Sequence, residues 1–488
     1  MAGDAPITPS IWPDERSDLN RAALAAYPAF LTMPERVRLE RIRQARMLFD
    51  GQHERFYLTD RRTQFAFRQV RTQAGGVRPL YLTCNVLKLV SMKAADLLMG
   101  EIPLLTSDAP AHAEALDALA DRTNLHQVLY QAAVDASAEA EAFLEAIVYD
   151  NQVYLQQIDA DTVFPVGPVM PDGQHRAYVR RALANIGTDQ TPIRLLLETT
   201  YRPGVIERHL YQLDREGRKS AELSLSAWPD APAAGWPAVQ PTGVPWNTMV
   251  WLPNLMLRGR AVSDYDGGVV GLQDALNAKH SQLAVVLLKH SQPKLLLPEA
   301  TGAAGEHARA SDEVFFQRDG DPTPQYLTWD AQLDAAQKDR KFTLDQILIQ
   351  TETSPVLLGM KEGAAPDAYR KVRLESFNSL TKAARRSVYW TAGLRTALMV
   401  ASMLEQTIPG VSYRLGEIGV TLRDGIPDDA VDRATELSTL RTSGLLSVRR
   451  GVEQLVGDPA GVEQEISELA AEREAATPSV MFGETNEQ

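Results

Sequence analysis

The chain of 488 residues has a single cysteine, Cys84, and no long hydrophobic run. One thiol cannot form an internal disulfide or a cysteine-ligated metal cluster, so we interpret Cys84 as a small buried residue. The longest purely apolar run, Leu283 to Leu288, has six residues, far below the roughly 18 that cross a bilayer. The first residues lack the basic and apolar pattern of a signal peptide. We therefore expect a folded intracellular protein, neither secreted nor membrane-spanning.

Motifs of catalysis and cofactor binding are also missing from the sequence. It has no phosphate loop, no H-E-x-x-H, no G-x-S-x-G and no G-x-G-x-x-G. None of its eight histidines are paired at the four-residue spacing of a helical metal site. The carboxylates of Asp159 and Asp161 are read as turn residues, since a lone acidic pair does not make a nuclease. These absences predict no enzyme activity, no metal and no cofactor.

Charge is distributed unevenly along a chain whose formal net charge is −13. Residues 36–78 contain eleven arginines and four acids, whereas residues 424–474 contain twelve acids and five arginines. This polarity indicates different neighbours for the two ends, or a basic face that meets an acidic face of another copy. We favour the simpler interpretation that the arginines of 36–46 form the solvated side of an amphipathic helix. The acidic total argues against a protein that reads DNA sequence, which needs a basic footprint.

Hydrophobic periodicity predicts an α+β protein that is mainly helical. Helices are expected from Pro34 to Gly51, over 84–100 and over 124–147, and short β-branched and aromatic runs predict a β-rich region over about 152–252. Further along, Leu272, Leu276, Leu283 and Leu287 form one stripe of a helix of some 22 residues. After an insert with two short strands, a second helix runs over about 330–351. A very long helix follows over about 367–406, with a stripe predicted to be buried that consists of Phe377, Leu380, Ala384 and Val388.

The order of these elements points to assembly. A helix of 22 residues projects roughly 33 Å, and a second helix returns along it with a small insert at the tip. A helical pair that reaches so far cannot bury both sides within one chain. Lateral packing against copies of itself would bury them, and a ring of such pairs would enclose an axial hole.

The sequence resembles the portal proteins of tailed bacteriophages, of the siphovirus type. The resemblance lies in YLTCNVLKLVSMKAADLLMGEIP at 81–103, PNLMLRGRAVSDYDGGVVGLQDALNAKHSQLAVVLLKHSQPKLLL at 253–297, ILIQTETSPVLLGMKEGAAPDAYRKVRLESFNSL at 347–380 and DPAGVEQEISELAAERE at 458–474. The order of these stretches carries the resemblance.

The resemblance implies a multi-module portal fold of wing, stem, clip and crown, assembled as a ring of about twelve subunits around an axial channel. The implied modules are an N-terminal arm at 1–25, a wing at 26–262, a first stem helix at 263–290, a clip at 291–329, a second stem helix at 330–351, a tunnel loop at 352–366, the long wing helix and following strands at 367–422, a crown at 423–475 and a C-terminal tail at 476–488.

The function implied by the resemblance is a conduit at one capsid vertex, part of the virion and assembled in the host cytoplasm. Double-stranded DNA would pass through it during packaging and ejection, without sequence preference. The implied partners are the large subunit of the terminase motor, head-completion or adaptor and tail proteins, and the major capsid and scaffolding proteins. Two alternatives stay open, namely a helical scaffold or adaptor of the virion without a channel and, less favoured, a DNA-packaging enzyme.

Two sets of residues are candidates for contact with the channel. The tunnel loop offers Leu357, Leu358, Met360, Lys361 and Glu362, which either face the channel or tuck their leucines into a core. The stem offers Lys279, Lys289, Lys338, Arg340 and Lys341, which either line the channel or pair with acids of neighbouring subunits. We favour the pairing between subunits.

Overall fold

The computed structural model describes residues 27–58, 67, 69–71, 77–188, 191–229, 231, 236–290, 295–298, 314–317, 333–360, 369–426, 430–456 and 459–476. The chain forms two compact units. The first contains Met1–Met360 and Ser376–Gly425, and the second contains Lys361–Glu375 and Ile426–Gln488. Helix accounts for 48% and strand for 23% of the structure, which confirms a mainly helical α+β protein. The predicted arm at 1–25 lies outside the described residues.

Helices dominate both units. Those of the first unit are α1 (Met33–Phe49), α2 (His53–Tyr57), α3 (Val86–Met99), α4 (Pro110–Thr123), α5 (Leu125–Glu139), α6 (Val269–His290), α7 (Leu333–Gln350) and α9 (Phe377–Glu405). Those of the second unit are α8 (Tyr369–Glu375), α10 (Ala430–Thr442), α11 (Val448–Val456) and α12 (Pro459–Ala476). Among the described residues, no helix is both long enough and apolar enough to span a membrane.

Strands form several small sheets in the first unit. They are β1 (Gln69–Arg71), β2 (Val77–Pro79), β3 (Leu104–Ser107), β4 (Glu141–Tyr149), β5 (Gln152–Ile158), β6 (Val163–Val169), β7 (His175–Thr188), β8 (Thr191–Arg202), β9 (Val205–Leu213), β10 (Lys219–Leu223), β11 (Val239–Pro241), β12 (Met249–Pro253), β13 (Met256–Leu257), β14 (Arg260–Ala261), β15 (Leu295–Pro298), β16 (Val314–Gln317) and β17 (Ile418–Thr421). The largest sheet has the order β10-β9-β8-β7-β6, and a second has the order β12-β4-β5. The predicted β-rich region is therefore confirmed.

The main core of the first unit lies where α3, α5 and α9 meet the β12-β4-β5 sheet. Trp390 of α9 is fully buried there and donates from its indole N–H to the Pro253 carbonyl at 3.1 Å. A Cβ on Gly393 would come within 2.4 Å of Leu252 Cδ2, so a larger residue there would displace the buried Leu252 side chain. The small residues of α9 thus allow close packing of helix against sheet.

This packing contradicts the buried stripe predicted for the long helix. Phe377 and Val388 are 65% and 66% exposed, Ala384 is exposed and Leu380 is half-buried. The opposite face is buried instead, and it consists largely of small or polar residues: Ser379, Ala383, Arg386, Trp390, Gly393, Leu394 and Ala397. The predicted single helix is also two helices, α8 and α9, divided at Ser376.

The helix predicted over 124–147 ends early. α5 stops at Glu139, Ala140 takes a left-handed conformation with φ 81°, and β4 begins at Glu141. β4 pairs with both β5 and β12, and Ala142, Phe143 and Leu144 are buried on this central strand of a sheet. Sheet pairing therefore decides the conformation of this segment over its helix-favouring alanines and glutamates.

Four of the five arginines of α1 are half-buried rather than solvated, which contradicts the favoured interpretation, whereas Arg43 is exposed. Each one is held by an acceptor of its own chain. Arg36 donates to the Pro28 and Leu31 carbonyls, Arg38 pairs with Glu141 at 2.6 Å, Arg41 with Asp266 at 3.0 Å, Arg43 with Glu40 at 2.5 Å, and Arg46 with Glu139 at 2.7 Å and Asp161 at 3.0 Å. Through Arg38, Arg41 and Arg46, the helix is thus bound to carboxylates of distant segments of the same unit.

Two glycines meet where the chain leaves the first unit. Gly100 follows α3, and Gly425 is the last residue of the unit. A Cβ on Gly100 would lie 2.8 Å from Gly425 Cα, and a Cβ on Gly425 would lie 2.9 Å from Gly100 Cα. Both would also collide with the Asp96 carbonyl oxygen, at 2.2 and 2.4 Å. Neither position has room for a side chain.

The second unit is helical, as predicted for the end of the chain. Ser447 precedes α11 and accepts a hydrogen bond from the Arg450 backbone N–H at 3.3 Å, which confirms it as the N-cap. Pro459 is the first residue of α12, again as predicted. Val452 of α11 and Val462 of α12 are buried, 6% and 3% exposed.

Replacement of Arg46 by alanine tests the fastening of α1. The Glu139 side chain is 5% exposed, and burial raises the pKa of its carboxyl to about 7 even though Arg46 opposes the rise. Loss of Arg46 leaves this carboxyl without its cation, so we expect Arg46→Ala to lower the free energy of unfolding by about 1–3 kcal/mol. Urea denaturation followed by circular dichroism measures it.

Arg202→Ala is the matched control, because its ion pair with Glu207 is exposed. Exposed pairs contribute about 0–1 kcal/mol. Equal losses in the two variants would contradict a structural role for the α1 arginines.

Candidate functional site

We take the hairpin of α6 and α7 as the candidate site, because the resemblance described above implies that these two helices form the stem. The two helices contact each other near their middles, where Lys279 reaches Asp339 at 2.8 Å and Thr343 at 2.7 Å, and His280 Nδ1 lies 3.2 Å from Arg340 Nη1. They are antiparallel, because Lys382 contacts both Asp264, just before α6, and Thr351, just after α7. Their bounds confirm the two predicted helices, and the 22 residues of α6 give a length of roughly 33 Å. Two short strands, β15 and β16, lie between them in sequence and pair in parallel.

Apolar packing is concentrated at the base of the hairpin. Leu276, Ile347 and Leu348 are 2% exposed or less and belong to one core cluster with residues of α1 and α3. Of the predicted leucine stripe on α6, Leu276 is buried, Leu272 and Leu283 are half-buried, and Leu287 is 50% exposed. The stripe therefore anchors the helix near its start and leaves it progressively uncovered toward its end.

The predicted stem charges have different surroundings. Lys279 pairs with Asp339 of its own chain, which differs from the pairing between subunits that we favoured. Antiparallel packing within the hairpin brings the two side chains together without a second copy. Lys338 and Lys341 are exposed on α7, with no ion pair to the part of the chain that the structure describes. Lys289 belongs to α6, but its side chain lies outside the described structure.

The tunnel-loop candidates divide between core and surface. Pro355–Leu358 forms a short 3₁₀ turn that Gly359 ends with φ 67°. Leu358 packs against the core cluster at the hairpin base, Leu357 is half-buried and Met360 is 40% exposed. Lys361 and Glu362 lie outside the described residues. Channel contact by this loop stays a prediction.

A row of buried polar side chains, which the sequence analysis missed, joins α6 to the body. Gln273, Asn277 and Ser281 are all 1% exposed or less and lie four residues apart on one face of the helix. They accept hydrogen bonds from the backbone N–H groups of Val86, Cys84 and Leu82, at 3.3, 2.9 and 2.8 Å. We call Gln273, Asn277 and Ser281 the polar ladder.

The spacing of the polar ladder along α6 matches the spacing of alternate backbone N–H groups in the extended segment 82–86. Four residues of helix advance about 6.0 Å, and two residues of extended chain advance about 6.6 Å. Alternate N–H groups of the segment 82–86 therefore meet successive turns of α6. Gln273 completes the match, because its Nε2 donates to the Cys84 carbonyl at 2.7 Å. The side chains of a helix thus take the place of a neighbouring strand.

The polar ladder continues into His53, which is fully buried. The imidazole Nε2 lies 2.8 Å from the Leu48 carbonyl and so carries the proton, whereas Nδ1 accepts from Asn277 Nδ2 at 2.9 Å. Asn277 Nδ2 also donates to Tyr81 Oη at 3.0 Å, and Tyr81 donates to Asp274 at 2.9 Å. Burial lowers the pKa of His53 below its usual range, despite the hydrogen bond to Leu48.

Lys382 of α9 joins both ends of the hairpin. Its Nζ lies 3.0 Å from Asp264 Oδ2, five residues before α6, and donates to the Thr351 carbonyl just after α7 at 2.8 Å. Burial acts to raise the pKa of Asp264, but the charges of Lys382 and Arg386 outweigh it and hold that pKa below its usual range. One cation therefore fixes the entry and the exit of the hairpin against the long helix.

No chemical centre accompanies this architecture in the described part of the chain. No group of three or more His, Cys, Asp or Glu side chains there could hold a metal ion. Cys84 is half-buried, and its backbone N–H is held by Asn277. Asp161, one of the two neighbouring acids of the sequence analysis, forms an ion pair with Arg46.

Comparison with solved structures found several similar chains. One belongs to the neck of a native gene transfer agent particle computed with C12 symmetry, with 14% identity over 82% of this chain and 99% of that chain and a TM-score of 0.43. Another is from the neck of an empty particle computed with C6 symmetry, with 14% identity over 76% and 88% and a TM-score of 0.40. A third is from the virion of a native particle, with 13% identity over 90% and 98% and a TM-score of 0.41. Neither the protein-family models nor the curated proteins gave a match.

Substitution of the central residue of the polar ladder tests its role. Asn277→Ala removes the acceptor of the Cys84 N–H and the donor to His53 and Tyr81. Each buried group left without a partner costs about 1–3 kcal/mol, so we expect a loss of about 2–4 kcal/mol in the free energy of unfolding. Hydrogen exchange at residues 82–86 should accelerate. Gln282→Ala, at an exposed position of the same helix, is the control, and similar exchange in both variants would refute the ladder.

Acid should weaken the hairpin base through His53. Because the folded protein holds His53 neutral, the unfolded chain binds more protons below its own pKa of about 6.5, and stability falls as the pH drops through that value. The slope from one such group is at most about 1.4 kcal/mol per pH unit. Urea denaturation between pH 5 and 7.5 should show a smaller loss of stability toward acid pH in His53→Gln than in the parent, while Glu139, whose raised pKa acts in the opposite direction, contributes equally to both.

The pH dependence should not vanish in that variant. Burial also lowers the pKa of His112 and His175, which therefore contribute in the same direction. The exposed His209 gives the control variant His209→Gln. An unchanged slope in His53→Gln would show that this imidazole takes up its proton as readily in the folded protein as in the unfolded chain, contrary to the argument.

Proposed function

We propose that this chain is a portal protein of a tailed-phage-like particle. It forms a ring of about twelve subunits at one capsid vertex and conducts double-stranded DNA during packaging and ejection. The observation that carries the proposal is the α6–α7 hairpin, a long antiparallel pair fixed at one end by the polar ladder and Lys382. The ordered resemblance of four sequence stretches to portal proteins agrees with it.

Uncovered apolar side chains on the hairpin support assembly with copies of the chain. Phe342 and Ile349, seven residues apart on one face of α7, are 61% and 66% exposed, and Leu287 of α6 is 50% exposed. Full burial of such a side chain contributes about 1.5–3 kcal/mol. Lateral packing of hairpins in a ring gives these residues a partner of the same chemistry.

The long helix α9 supports the same arrangement. The residues predicted to be its buried stripe, Phe377 and Val388, stand out from the opposite face of the helix. Their apolar character is accounted for when a neighbouring copy covers that face. The apolar pattern of Phe377 and Val388 would then reflect burial against a neighbouring copy rather than against the same chain. Sequence periodicity alone does not distinguish these two kinds of burial.

Charge on the hairpin suits passage of DNA. Lys338 and Lys341 are exposed on α7, while Lys279 is neutralised by Asp339. A few exposed cations in a chain of net charge −13 can touch phosphates transiently without retaining them, since screening limits each contact to roughly 8–10 Å.

The proposed partners of the ring are the terminase motor, head-completion or adaptor proteins, tail proteins, and capsid and scaffolding proteins.

Assembly of the purified chain tests this function. Negative-stain images should show rings with a central hole about as wide as a DNA duplex, and Phe342→Glu together with Ile349→Glu should reduce ring formation at least tenfold by mass photometry. Charged side chains cannot enter an apolar contact without a large desolvation cost. Leu183→Glu, on the exposed face of β7, is the control.

Two results would contradict the proposal. One is a monomer at all concentrations, and the other is an oligomer without a hole, which would favour a scaffold or adaptor. The variants must retain the circular dichroism and thermal midpoint of the parent, so that lost assembly is separated from lost folding.

A further inference from the structure

A charged cavity of about 430 Å³ lies beside the hairpin base, within the first unit. Its walls come from the β13–β14 hairpin, the segment that leads into α6, the end of α7 and the first half of α9. The charged residues that line it are Arg258, Arg260, Lys382, Arg385 and Arg386, together with Asp264, Asp266 and Glu352. Five cations face three carboxylates, so the lining carries an excess of positive charge.

The three carboxylates are already neutralised. Asp264 pairs with Lys382 at 3.0 Å, and Glu352 pairs with Arg385. Asp266 pairs at 3.0 Å with Arg41, a residue that does not line the cavity. This leaves Arg258, Arg260 and Arg386 with no carboxylate in ion-pairing distance among the described residues.

Arg386 is the deepest of these cations, with 1% of its surface exposed. Its Nη1 and Nη2 donate to the Ala94 and Ala133 carbonyls at 2.9 and 3.2 Å, while its buried Nε–H has no acceptor in the described structure. A guanidinium does not lose its proton in a protein, so it stays charged. Asp264 acts on this guanidinium only at longer range and pairs directly with Lys382, so one carboxylate serves two buried cations and the Arg386 Nε–H stays unsatisfied. This arrangement is unfavourable, and a bound anion would offset both costs.

The mouth of the cavity holds two more arginines on a tight turn. Arg258 and Gly259 connect β13 to β14 with φ values of 53° and 78°. Two-residue turns of this left-handed type favour Asn-Gly, because a larger residue with positive φ is strained. Arg258 occupies the strained position, and Arg260 follows the glycine. Such local strain is commonly kept where a side chain has a function.

We propose that this cavity binds a phosphate group, held between Arg258 and Arg260 at the mouth and Arg386 at the floor. Arginine suits phosphate because its planar fork can donate two parallel hydrogen bonds to phosphate oxygens. Arginines on two separate elements can reach different oxygens of one tetrahedral group. The phosphate comes either from a free polyphosphate or from the backbone of a nucleic acid, and the site is independent of ring formation.

Two binding measurements test the site and separate the sources. Tripolyphosphate is titrated into the full chain by isothermal titration calorimetry at 50 mM NaCl, and a fluorescent 20-base-pair duplex is titrated by anisotropy under the same conditions. We expect the variant Arg258→Gly with Arg260→Ser to bind at least tenfold more weakly. Glycine relieves the strain at position 258, so the turn is retained.

A variant with the same loss of charge is the control. Arg176→Ser with Arg202→Ser removes two exposed arginines that do not line the cavity. Tripolyphosphate binding that only the cavity variant loses, with the duplex bound equally by both variants, assigns a free phosphate ligand. Duplex binding that only the cavity variant loses assigns the nucleic-acid backbone. No binding of either probe by the parent chain, or equal weakening in the two variants, overturns the proposal.

Discussion

The hydrogen bonds between the polar ladder and the backbone of residues 82–86 hold the rest of this structure in place. The amides of Gln273 and Asn277 are completely buried by these contacts. They also satisfy the backbone N–H and carbonyl groups of Cys84, which would otherwise be buried against α6 without a hydrogen-bond partner. Apolar contacts alone would let α6 slide or rotate, because they have no preferred register. The ladder sets one register, and from it the direction of the hairpin follows.

A second constraint is electrostatic. Lys382 spans the two ends of the hairpin, and Arg386 one turn later holds the carbonyls of α3 and α5. Both cations lie on α9, so the long helix, the hairpin and the helical core are connected through one face. A movement of the hairpin would break contacts to Asp264 and Thr351 together. The hairpin and α9 are therefore expected to move as one body.

The sequence predicted which segments are helices better than it predicted what they contact. The existence of α6 follows from its leucine spacing, which is a local signal. The polar ladder was missed because glutamine, asparagine and serine at four-residue spacing look like a solvated face. The burial of α9 was assigned to the wrong side because its core face is small and polar, and because Phe377 and Val388 face outward. The α1 arginines were predicted to be solvated because their carboxylate partners, such as Glu139 and Asp266, lie far away in the sequence.

The contact between Gly100 and Gly425 has a consequence for engineering. Because the two backbones occupy one shared gap, a methyl group at either site would separate α3 from the last residues of the first unit. Pairwise substitutions cannot rescue each other, since both add volume to the same place. Fusions or affinity tags should therefore be placed beyond this pair rather than across it, and a mutational library should return both positions as intolerant.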